Sequence, residues 1–185
     1  SMGNPILGNP IIKCCEAMIA EALVIASTEH DAIFLTFSTT ATVLTFNQDT
    51  TFSQAMSMIR GLDMGGTDCA LPWIWAIKNG ISIDAVVIYT DNETWASGDT
   101  SNNLNFSWGW GSKNSHTSGL AVCDAMNKYR SQMKKPDLAM VVVGMAPNEF
   151  TIADPNDPMM MDRVGCDPNG LAIQNELMNG NFRVD

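Results

Sequence analysis

Two apolar runs, Ala85 to Thr90 (AVVIYT) and Leu138 to Met145 (LAMVVVGM), constrain this chain more than anything else in it. Neither alternates apolar with polar residues, so a strand built from either one must be covered on both faces. That is the situation of a parallel sheet sandwiched between helices. Segments able to supply the cover alternate with the runs. Ile11 to Ser27 carries apolar residues at helical spacing, with Asn9-Pro10 as a start signal. Thr51 to Leu62 puts Phe52, Ala55, Met56 and Ile59 on one face. Cys69 to Asn79, entered through Thr67-Asp68, Ser118 to Lys134 and Asn169 to Met178 also read as helices. Ala32 to Ser38 and Ala41 to Asn47 are rich in β-formers and separated by Thr39-Thr40, which predicts a hairpin at a sheet edge. The sum is an α/β, doubly wound fold: a mostly parallel central sheet flanked by helices, in a single domain over residues 1–185.

The remaining composition narrows the function. A formal net charge of −10 argues against nucleic acid as the direct partner of this segment, because phosphate binding needs clustered Lys and Arg. It favours a cation or a basic partner. No apolar run reaches the roughly 18 residues needed to span a membrane, and no signal peptide is visible. The five cysteines (Cys14, Cys15, Cys69, Cys123, Cys166) lack CxxC spacing and read as small buried side chains in a reduced, cytoplasmic setting. No Walker loop, GxGxxG, GxSxG or HExxH motif occurs. His30 and His116 have no sequence-visible nucleophile beside them. Asp154, Asp157 and Asp162 lie in a Pro-rich acidic stretch whose spacing is not that of a calcium loop, and Met159-Met160-Met161 read as core filling.

Doubly wound sheets bind ligands beyond the carboxyl ends of their strands. Three segments belong to that edge: Ser1-Met2-Gly3 leading to the first helix, Gly65-Gly66-Thr67-Asp68 opening the third, and Asp91-Asn92-Glu93 directly after AVVIYT. Hydroxyls from the first two and a carboxylate from the third make a hard-oxygen set suited to Mg²⁺ or Mn²⁺. Taken singly, a Gly-Gly-Thr-Asp turn is also an ordinary helix cap. The stretch Ala96 to Ser118, rich in Gly, Ser and Asn and carrying Trp108 and Trp110, reads as a long surface loop. Aromatic anchors on an adaptable polar backbone suit a partner surface.

In this order and separation, Ser-Met-Gly, Gly-Gly-Thr-Asp-Cys and Tyr-Thr-Asp-Asn-Glu-Thr resemble the metal-ion-dependent adhesion site of von Willebrand factor A domains. GGTDCALPWIWA (65–76), TDNETWASG (90–98) and EFTIADP (149–155) are similar, more specifically, to the carboxyl-terminal domain of the Ro ribonucleoprotein (TROVE) family. The similarity runs from Ser1 to about Met178, interrupted by the Trp-containing loop. The resemblance implies that Ser1, Thr67 and Asp91 are metal ligands and that the bound ion accepts a carboxylate from a protein partner. The family's first strand, first aspartate and first serine have no counterpart ahead of Ser1, and its RNA-binding helical repeats are absent from these 185 residues. Asn181 to Asp185 is either a frayed tail or a short strand that fills the vacant place and brings Asp185 to the metal.

The expectation is therefore a metal-dependent binding module for a protein partner, with Trp108, Trp110 and Glu93 on the partner side and RNA reached only through a domain absent here. The alternative is a structural or assembly protein that keeps the fold with incomplete metal coordination. Metal-assisted hydrolysis ranks third and no enzyme is expected, since Glu93 is the sole candidate base beside the metal.

Overall fold

The computed structural model describes residues 2–6, 9–38, 40–62, 68–90, 118–145 and 152–180, with the side chains of 118–121 excepted. A parallel sheet is formed by β5 (Ala85–Thr90), β6 (Ala139–Gly144) and β7 (Met160–Val164), in the order β5-β6-β7. Ahead of it in the chain come β1 (Pro5–Ile6), β2 (Asn9–Lys13), α1 (Cys14–Thr28), β3 (Phe34–Phe37), β4 (Ala41–Leu44), α2 (Phe52–Arg60) and α3 (Leu71–Asn79). Helix α4 (Ser118–Met133) joins β5 to β6, and α5 (Pro168–Met178) follows β7.

Strand β6 shows why the apolar runs dictate this arrangement, because all six of its residues are buried. Its alternate side chains serve two cores. Met140 and Val142 face Trp73 of α3 and Met126 of α4, while Ala139, Val141 and Val143 face Cys14 and Ala17 of α1 and Leu177 of α5. A period of two along the strand thus places one layer of helices on each side of the sheet. The methionines at 159–161 behave the same way: Met160 enters the first core, and Met159 and Met161 pack on the second.

The first core is pinned at the amino-terminal side of the sheet by a buried tyrosine. The Tyr129 hydroxyl donates to the Ile81 carbonyl at 2.6 Å and accepts the Ile83 amide at 2.7 Å, holding the α3–β5 connection against α4. Its ring packs tilted on Trp73 with centroids 5.7 Å apart. Gly80 caps α3 at φ 62°, a left-handed conformation that favours glycine, and the chain turns there toward β5.

Where sequence and structure part, the causes are local. The first helix was expected from Ile11, but Asn9–Lys13 is the strand β2, antiparallel to β1, and the helix begins at Cys14. The Asn9 side chain takes the amides of Ile11 (2.9 Å) and Ile12 (3.3 Å), which turns the chain in place of starting a helix. The third helix begins at Leu71 instead of Cys69, after a turn in which the Asp68 carboxylate accepts the Ala70 amide at 2.9 Å. Strand β7 was not expected at all: its sequence, Met-Met-Asp-Arg-Val, reads as part of an acidic loop. The hairpin expected at 32–47 forms as β3 and β4, with Phe34 opposite Leu44 and Phe37 opposite Ala41, but among the described residues it is a two-stranded sheet of its own and not the edge of the parallel sheet.

Candidate functional site

The carboxyl ends of β5 and β6 lie side by side, and the residue just past β6 ties the edge together. The amide of Met145 donates to the Thr90 carbonyl at 2.8 Å, and its own carbonyl receives the Cys14 thiol at 3.5 Å. Cys14 opens α1, whose first amides have no partner within the helix. They are satisfied by the chain's beginning: the Cys14 amide donates to the Asn4 carbonyl (2.8 Å) and the Cys15 amide to the Met2 carbonyl (3.0 Å). Met2 and Thr90 are thereby joined through one short hydrogen-bonded path. On the other side of the sheet, Asp68 is buried and its amide donates to the Ser38 carbonyl, one residue beyond β3, at 3.2 Å. Cys69, next to it, belongs to the core cluster that contains Ile88 of β5.

Met2, Asp68 and Thr90 are the immediate chain neighbours of Ser1, Thr67 and Asp91. Those three expected ligands lie outside the described residues, as do Asp185, Glu93, Trp108 and Trp110 and most of the 96–118 stretch. Among the described residues, no cluster of three or more His, Cys, Asp or Glu could hold a metal. The acidic stretch is committed to structure: Asp157 pairs with Arg130, and Asp154 accepts the Asn156 amide at 2.9 Å. His30 lies exposed between α1 and β3, and His116 is outside the described residues.

One polar constellation had no signature in the sequence. Glu21 of α1 receives both terminal nitrogens of Arg163 of β7, at 2.5 and 3.3 Å, and its Oε2 also accepts the Tyr89 hydroxyl at 3.0 Å. The Arg163 side chain is 4% exposed and that of Glu21 14%. This network clamps α1 across β5 and β7. Burial, and then the Glu21 charge, push the Tyr89 phenol well above its ordinary range. The same two causes push the neighbouring Cys166 thiol up to about 11, which keeps it protonated and a poor nucleophile at neutral pH. Burial also raises Cys123, whose thiol donates to the Ile152 carbonyl at 3.2 Å. All five cysteines are thiols; Cys14, Cys69 and Cys123 are buried as expected, whereas Cys15 and Cys166 are only half-buried. Among the described residues no helix is long and apolar enough to cross a membrane.

Comparison with known proteins agrees with this architecture. The family described as the Ro60 vWA domain matches residues 1–104 and 112–178, with the break falling inside the 96–118 stretch. The RNA-binding protein RO60 of Caenorhabditis elegans is 29% identical over 180 residues, covering 97% of this chain and 25% of that protein. Its namesake from Deinococcus radiodurans is 32% identical over 175 residues, covering 95% of this chain and 29% of that one. The crystal structure of the Deinococcus radiodurans Ro (RSR) protein superposes with a TM-score of 0.76 at 30% identity, over 97% of this chain and 32% of that chain. The chain thus spans between a quarter and a third of the length of these relatives. The parallel sheet with helices on both faces and the match along nearly the whole chain lead to one assignment: the chain belongs to the Ro60 von Willebrand factor A domain family.

Proposed function

We propose that this domain is a metal-dependent binding module and not an enzyme. In this reading a Mg²⁺ or Mn²⁺ ion is held by the hydroxyls of Ser1 and Thr67 and the carboxylate of Asp91, with Asp185 as a further oxygen donor. The ion accepts a carboxylate from a protein partner. Glu93, Trp108 and Trp110 follow Asp91 in the chain and form the partner side. The observation that carries the reading is the hydrogen-bonded path Thr90–Met145–Cys14 and Cys15–Met2, which draws the chain neighbours of Asp91 and Ser1 to the carboxyl edge of the sheet. The donor set consists of hard oxygens, which is what these ions select. The relatives are called RNA-binding proteins. With 20 acidic and 10 basic residues, this domain is poorly suited to phosphate contact, so RNA binding is assigned to the parts of such proteins that this chain does not span.

Calorimetric titration of the 185-residue chain with MgCl₂ and MnCl₂ tests the proposal. A saturable heat that disappears in Asp91→Ala and weakens in Thr67→Ala is expected. A silent titration of the folded wild-type chain would reject the metal and favour the assembly role with incomplete coordination.

A further inference from the structure

A cleft of about 570 Å³ opens between the first turns of α1 and α5, bordered by the start of α2 and by the β1–β2 hairpin. None of its lining residues belongs to the donor set proposed above. Its lining is aliphatic and aromatic at Ile12, Ala20, Phe52 and Leu171. Two of the lining side chains also reach the surface, Phe52 being 44% and Ile12 39% exposed. Exposed apolar groups gathered around a concavity mark a place where something binds, in a way that scattered ones do not.

The charges at the cleft favour one kind of occupant. Glu16, Glu21 and Asp167 line it, and among the described residues no lining residue is basic. Arg163 compensates Glu21 alone. The Glu16 carboxylate accepts the Lys13 amide at 2.9 Å, and that of Asp167 accepts the Gly170 amide at 2.8 Å. Neither bond removes a negative charge, and both side chains are held in place by being helix caps. A fixed apolar slot with two carboxylates at its rim excludes acidic segments and welcomes cationic ones.

We propose that this cleft docks a polypeptide segment of a partner that inserts a large apolar side chain flanked by Lys or Arg. The pocket takes the apolar anchor, as interface hot spots do. Glu16 and Asp167 meet the flanking cations at the wetter rim, where they set selectivity more than affinity. The site is independent of the metal, so EDTA leaves binding unchanged.

The probe is a fluorescein-labelled, amidated peptide Lys-Leu-Trp-Leu-Lys, followed by fluorescence anisotropy on the full chain and compared with Glu-Leu-Trp-Leu-Glu. The basic peptide should bind at least about tenfold more tightly than the acidic one, a difference of about 1.4 kcal/mol. Ala20→Trp, at an exposed helix position whose new side chain fills the slot, should weaken the basic peptide by about tenfold or more. Glu16→Gln keeps the acceptor for the Lys13 amide while removing the charge, and should narrow the preference between the two peptides. Equal binding of both peptides, no binding of the basic one at millimolar concentration, or unchanged affinity in a folded Ala20→Trp would each overturn the proposal.

Discussion

Replacing Glu21 by Gln should destabilise the domain far more than a surface ion-pair mutation does. The substitution keeps the shape of the side chain and an oxygen that can still accept the Tyr89 hydroxyl. It removes the charge that balances Arg163, whose side chain is only 4% exposed. Besides the neutral Gln oxygen, the guanidinium keeps only the Gly165 carbonyl at 3.1 Å, and its Nε has no hydrogen-bond partner among the described residues. Stripping one partner from a buried pair costs about 3–5 kcal/mol, and the 14% exposure of Glu21 argues for the lower end, about 3 kcal/mol. With a urea dependence of about 2 kcal/mol per molar, the unfolding midpoint should fall by about 1.5 M. The assay is equilibrium urea denaturation followed by far-ultraviolet circular dichroism, with the double variant Glu21→Gln/Arg163→Met alongside. The double variant should recover most of the loss, since it leaves no uncompensated charge and keeps an acceptor for the Tyr89 hydroxyl. A midpoint for Glu21→Gln within about 0.3 M of wild type would place the pair with exposed ion pairs and refute the reasoning.

Other outcomes follow from the same geometry. A Cβ on Gly170 would stand 2.8 Å from Cδ of Arg163, so Gly170→Ala should push the arginine off Glu21 and cost about 1–3 kcal/mol in the same denaturation assay. Burial works against the Asp157 charge, but its hydrogen bonds from Arg130 and the Met159 amide outweigh this and hold the carboxyl below its usual range. Its contribution is therefore present above the unfolded carboxylate value and lost as pH falls through the lower folded one, so the melting-temperature gap between wild type and Asp157→Asn should close from pH 7 toward pH 3. Strand β5 pairs with β6 along one edge, and no strand pairs its other edge among the described residues. If Asn181 to Asp185 occupies that edge, removing those residues should lower the melting temperature and abolish the Mg²⁺ titration together, whereas an unchanged melting curve would sink the idea. Trp108→Ala together with Trp110→Ala should weaken a partner isolated on the wild-type domain while leaving the melting curve within about 2 °C, and a cooperative loss of fold would assign both rings to the core instead.

The fold was legible where one physical requirement dominated a segment. Leu138 to Met145 could be nothing other than a doubly covered strand, and the structure buries every residue of β6. Legibility failed where tertiary pairing overrode local preference. Met160 to Val164 has two charged residues in five and no alternation, yet it pairs in register with β6, Met140 opposite Met160 and Gly144 opposite Val164. What makes it a strand is the edge of β6 that β5 leaves open to pairing and the carboxylate of Glu21, 142 positions away, that accepts Arg163. No window on the sequence contains that information. Asn9-Pro10 failed for the opposite reason, because the same residues that cap helices also close turns. The Asn9 side chain bonded amides two and three positions ahead while the chain ran on as a strand.

The candidate metal edge is a different case. Its segments are proposed from chemical type and chain order, and the structure joins the chain neighbours of two of them, Met2 and Thr90. The first amides of α1 need acceptors, and the carbonyls of Met2 and Asn4 provide them. That requirement folds the chain's beginning back onto the helix start, while the Cys14 thiol fixes the helix start to Met145 at the end of β6. Met145 in turn bonds Thr90, the last residue before Asp91. Helix-terminal hydrogen bonding thus holds the chain neighbours of Ser1 and Asp91 on one path, which is the support for the site proposed there. Replacing Cys14 by Ser would keep this path with a shorter donor, and replacing it by Val would cut it. The difference between those two variants in Mg²⁺ affinity, at matched stability, measures how far the metal edge depends on the start of α1.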